Sequence, residues 1–66
     1  MFEITVCKLY SDKFAKSTAS DKQVLVDHLE ASAARHGFDV EFDDGDDAGS
    51  LWRDGREVGF WHIEAI

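Results

Sequence analysis

Six carboxylates stand between Asp39 and Asp47 with no base among them: Asp39, Glu41, Asp43, Asp44, Asp46 and Asp47. Carboxylates at this density either ligate a hard cation or present an anionic surface. The spacing Asp39-x-Glu41-x-Asp43 matches the start of a calcium-binding EF-hand loop, but that loop needs Gly at its sixth position and Glu at its twelfth. Counted from Asp39, those positions are Asp44 and Ser50. Phe38, Val40 and Phe42 alternate with Asp39, Glu41 and Asp43, which is the pattern of a half-buried strand. On such a strand the three carboxylates form a solvent-facing row, about 6.6–6.8 Å apart. An anionic surface is therefore the better reading, and no metal site is expected.

The second group with chemistry is aromatic. Trp52 and Trp61 flank Asp54-Gly55, the strongest short-range hairpin signal, because a type I′ turn needs positive φ at both central positions. A two-residue turn pairs Arg53 with Arg56, Trp52 with Glu57 and Leu51 with Val58. Leu51, Val58, Phe60 and His62 then share one face; Trp52, Trp61 and Ile63 share the other. Both faces are apolar, so either the tryptophans face the core, or Cys7 and Leu9 join them in a minor second core, or Trp52 and Trp61 form an exposed binding patch of the kind found at hot spots.

The remaining reactive side chains carry little. Cys7 lies in the middle of an apolar strand and reads as an inert thiol, since a reactive one needs exposure and a nearby base. His36 falls in the last turn of a helix, where a partial negative charge favours it. No HExxH or similar zinc spacing occurs, and the glycines are scattered at turns rather than gathered in a phosphate loop. The chain reads as a non-enzyme without a cofactor.

Few elements are needed to position these groups. Residues 2–10 read as a strand with Phe2, Ile4 and Val6 on one face and Thr5, Cys7 and Leu9 on the other. Residues 11–19 read as a loop pinned by Phe14. A helix follows over about 21–36, capped by Ser20 with Gln23 completing a capping box, and closed by Gly37. Its stripe is Leu25, Val26, Leu29 and Ala33. The expected fold is α+β, in the order β-α-β-β-β, with the single helix packed on one face of a small, largely antiparallel sheet.

With 66 residues there is room for one domain, spanning 1–66. Such a domain buries only about 60% of the surface its unfolded chain exposes. A content of 44% apolar and 12% aromatic residues separates it from a disordered acidic tail. The lone Cys7 excludes an internal disulfide, which favours the cytoplasm. The opening Met1-Phe2-Glu3-Ile4 does not read as a signal peptide, and no apolar run approaches the roughly 20 residues of a membrane helix.

The net charge of −7 is unevenly placed. Residues 1–37 carry five bases and five acids, whereas residues 38–66 carry two bases and nine acids. Direct nucleic-acid binding, which needs a basic face, is thereby disfavoured, and a basic protein partner is favoured.

In size, acidity, lack of a cysteine framework and simple α+β plan, the chain resembles the small phage-encoded anti-CRISPR proteins of the DNA-mimic kind. The resemblance implies an inhibitor that occupies a basic nucleic-acid-binding surface, on a CRISPR effector subunit or a nuclease in the host cytoplasm. The contacts would come from Asp39, Glu41, Asp43, Asp44, Asp46 and Asp47, with Asp54 and Glu57. With the exposed-tryptophan reading, Trp52 and Trp61 join the binding residues. No contact with nucleic acid or membrane is expected, and the chain is read as a monomer. The alternative is a structural or accessory module whose acids serve only solubility or salt tolerance.

Overall fold

The computed structural model describes residues 1–45 and 47–66. β1 (Phe2–Lys8) forms where the alternation predicts it, with Ile4 buried and Phe2 and Val6 packed against the core. The next segment departs from expectation. Residues 14–19 are not loop but strand β2 (Phe14–Ala19), paired antiparallel with β1 from Phe2↔Ala19 to Cys7↔Phe14. The reason is its place at the sheet edge. An edge strand with little to bury needs no apolar alternation, so the polar sequence Phe-Ala-Lys-Ser-Thr-Ala gives no periodic signal.

Helix α1 (Lys22–His36) is capped by Asp21 rather than Ser20. The Asp21 carboxylate accepts the Gln23 amide at 3.0 Å, and its backbone is extended at φ −128°. Ser and Asp are equally good caps, so the tandem leaves a one-residue ambiguity that sequence alone does not resolve. The Gln23 side chain turns forward to Asp27 at 2.9 Å instead of back to the cap. Gly37, at φ 77°, ends the helix as expected, and the Phe38 amide returns to the Ala33 carbonyl at 2.8 Å. Leu25, Val26, Leu29 and Ala33 are all buried.

β3 (Asp39–Phe42), β4 (Ala48–Arg53) and β5 (Arg56–Ala65) complete a five-stranded antiparallel sheet in the order β2-β1-β5-β4-β3. One helix on one face of this sheet is the α+β fold expected. The Asp54-Gly55 turn has φ of 53° and 77°, both positive as a type I′ turn requires. Arg53↔Arg56 and Trp52↔Glu57 also pair as expected.

Beyond Trp52 the register slips. A bulge between Leu51 and Trp52 places Leu51 opposite Gly59, not Val58. One extra residue moves side chains to the other face. Leu51 thus joins Trp61 and Ile63 beneath the helix, while Trp52, Phe60 and His62 fall on the uncovered side. The core gathers Ile4, Leu25, Val26, Leu29, Leu51, Trp61 and Ile63. Trp61, only 1% exposed, is its largest side chain and packs edge-to-face on Phe42, with centroids 5.3 Å apart. Its bulk fits because Gly49 lies beneath it: a Cβ there would strike the Glu41 carbonyl and the indole nitrogen. Among the described residues, no helix is long and apolar enough to cross a membrane.

Candidate functional site

With the helix on one face, the other face of the sheet is open. The strand registers set its rows. Phe14, Cys7, Phe60, Ser50 and Glu41 form one continuous row across all five strands. Asp39, Trp52 and Glu57 form a second at the β3–β5 end, and Lys16, Thr5, His62 and Ala48 a third on the other side of the first. Thr5 is buried between its long neighbours although it lies on the open face. Phe14 is 63% exposed and Phe60 43% exposed, while Trp52 and Cys7 are half-buried. The face is thus aromatic in the middle and acidic along the β3 border.

The acids predicted from sequence fall into three groups. Asp39 and Glu41 sit on β3 and Asp43 and Asp44 follow it, all exposed. Asp54 and Glu57 are exposed at the β4–β5 turn. Among the described residues, none of these six makes an ion pair. Asp47 differs. It is engaged by Lys22 at the start of the helix, and the same ammonium reaches the Gly45 carbonyl at 3.5 Å. The Asp47 backbone carbonyl also accepts the Ile63 amide at 2.6 Å. Asp47 therefore ties the turn to the helix and the sheet, and its charge is partly answered within the chain. Asp46 lies outside the described residues.

The aromatic half of the expectation needs a correction. Trp61 is not a surface residue: the bulge turns it under the helix and the core encloses it. Trp52 keeps its place, flanked across the strands by Asp39 and Glu57. Its indole nitrogen is buried without a partner, as is that of Trp61. On the open face, the exposed aromatics that sequence reasoning did not select are Phe60 and Phe14. The signal for Phe60 was present in Gly49, whose missing side chain leaves room for Trp61 on the helix side and so sends its neighbour Phe60 outward.

Cations are either occupied or peripheral to this surface. Arg53 donates to the His36 carbonyl at the helix end and lies over the Phe38 ring, 4.2 Å from its centroid. His36 Nδ1 meets the Ser32 carbonyl at 2.8 Å, the helix-end role expected of it. On the open face, Lys16 pairs with Glu3 at 3.7 Å and His62 lies 3.8 Å from Glu64. Among the described residues, no three His, Cys, Asp or Glu side chains gather as a cation site. An apolar cleft of about 270 Å³ between α1 and β2 is lined by Leu25, Leu29, Ala15 and Ser17, with His28 and Ser32 beside them. The arrangement is an uncovered sheet face with an aromatic centre and, among the described residues, carboxylates without ion pairs at one border.

A family model described as Mycobacterium phage Gp84-like protein matches residues 1–66. The chain belongs to this Gp84-like family. It is 41% identical to the Gene 84 protein of Mycobacterium phage L5 over 66 residues, covering 100% of both chains. It is 38% identical to the Gene 84 protein of Mycobacterium phage D29 over 65 residues, covering 98% of each. No solved structure matches. The phage character implied by the resemblance agrees with this membership.

Proposed function

We propose that this Gp84-like chain is a protein-binding inhibitor whose acidic border occupies a basic, nucleic-acid-binding surface of a protein in the host cytoplasm. The observation that carries the reading is the open sheet face, where, among the described residues, Asp39 and Glu41 are exposed and without ion pairs in the rows of Trp52 and Phe60, with Asp43 and Asp44 exposed just beyond the end of β3. Carboxylates in such a row stand in for phosphates and steer a positive partner at long range. The half-buried indole and the exposed ring supply the apolar contact that gives an encounter its lifetime. A CRISPR effector subunit or a nuclease has the required basic groove, and an anti-CRISPR of the DNA-mimic kind is the sharpest form of the proposal. Trp61 and Asp47 drop out of the contact set, the first because it is core and the second because Lys22 engages it.

The first test is affinity capture from a mycobacterial lysate with the immobilised chain, eluted with a salt gradient. Salt screens exposed charge pairs. The proposal expects a nucleic-acid-binding protein released by salt and displaced by added DNA. Retention of no such protein would instead favour an accessory module whose acids serve solubility.

A further inference from the structure

β2 and β3 are the two edges of the sheet, and they are guarded differently. β3 has four residues, with Asp39 and Glu41 among them; short strands and charge are how natural edges resist pairing. β2 has six residues, no Pro, a single charged side chain and an unbroken register with β1. Every residue of it from Phe14 to Thr18 is exposed.

The backbone bonds identify which of its groups are free. The Lys8 amide donates to the Lys13 carbonyl at 3.4 Å, which makes Val6/Ala15, Ile4/Ser17 and Phe2/Ala19 the hydrogen-bonded pairs. The Leu9–Val58 and Ile66–Met1 bonds agree, since they turn the alternate residues of β1 toward β5. The peptide groups of Phe14, Lys16 and Thr18 therefore point away from β1, along an edge with no strand beside it among the described residues.

We propose that this edge pairs antiparallel with β2 of a second copy, joining two sheets into one of ten strands with both helices on the same side. This differs from the monomer expected from the sequence, in which residues 11–19 read as a loop. Charge selects the occupant. β2 carries a single charge, Lys16, which Glu3 of β1 answers, so a second copy meets little excess charge along the strand. The two β3 borders end nine strand spacings apart, about 43 Å, which is several times the Debye length of about 8 Å at physiological salt.

Charge also selects the register. With Lys16 on the two-fold axis, two ammonium groups would face each other, which is unfavourable. With Ala15 on the axis, only residues 14–16 of the two strands overlap. With Ser17 on the axis, residues 15–19 overlap, Lys16 faces Thr18 of the second copy, and the free peptide groups of Lys16 and Thr18 bond one another. The proposed seam is this third register. It leaves the open face uncovered, so it stands independently of the inhibitor reading.

Sedimentation velocity of the whole chain over a range up to millimolar concentration tests it. A reversible dimer is expected. Thr18→Lys keeps the fold, because Thr18 is exposed and sits across from Glu3, but it sets lysine against lysine in the seam. It should weaken dimerisation at least about tenfold, or about 1.4 kcal/mol. Adding Lys16→Glu sets glutamate against lysine and should restore the dimer. Circular dichroism of each variant separates lost pairing from lost fold. A wild-type chain that stays monomeric to millimolar concentration overturns the proposal, and an edge reserved for a strand of another protein would give that result. A folded Thr18→Lys variant that dimerises like wild type, or no recovery in the double variant, overturns it as well.

Discussion

At the residue scale, the fold turns on two contacts of very different character. Gly49 lies where the Glu41 carbonyl and the Trp61 indole leave no space for a side chain. Gly49→Ala should therefore destabilise the chain by at least the roughly 1–3 kcal/mol typical of an overpacked core, read as a lowered denaturant midpoint. Leu29 is buried on the helix stripe. Leu29→Ala leaves a cavity and should cost about 2–5 kcal/mol, enough in so small a domain to populate the unfolded state. A variant that melts with the parent would contradict the helix face described. The tryptophans offer an optical check. With Trp52→Phe, the remaining emission comes from Trp61 and should resist acrylamide; ready quenching would mean that Trp61 is not enclosed. The leucine stripe was legible from its helical spacing alone. The two indoles were not, because their faces depend on a bulge beside Trp52, and nothing in Leu51-Trp52 marks where that bulge falls.

At the scale of elements, legibility followed how much each segment buries. β1, α1 and β3 each set an apolar face against a polar one, and their periodicities show it. β2 has only its edge position, so Lys16 and Thr18 outward and Ala15 and Ser17 inward give no contrast to read. The helix start was located to within one residue, between two equivalent caps. Asp21→Ala should lower stability by about 1 kcal/mol, whereas Ser20→Ala should change it little; the reverse order in thermal melts would restore Ser20 as the cap. The β4–β5 turn was fully legible, since Asp54 and Gly55 both adopt positive φ. Gly55→Val places a β-branched side chain in the left-handed region and should cost about 1–2 kcal/mol, visible as faster amide exchange in β4 and β5.

At the scale of the molecule, the charge split of the sequence becomes a geometric asymmetry. The neutral half supplies β1, β2 and the helix; the acidic half supplies the β3 border and the strands beside it. The acidic row itself was legible in the alternation of residues 38–43. Its neighbours were not, because Trp52 and Phe60 reach the same face only through the bulge and the sheet order. The account is tested most directly by Asp39→Asn with Glu41→Gln, Asp43→Asn and Asp44→Asn, in association kinetics against the captured partner, at two salt concentrations and with DNA as competitor. These carboxylates are exposed and without ion pairs, so their loss should leave the melting temperature unchanged or higher. Association should slow, the salt dependence should flatten, and DNA should displace the parent chain. A folded variant that binds as fast and as tightly as the parent would contradict the account and leave the carboxylates as a solubility feature.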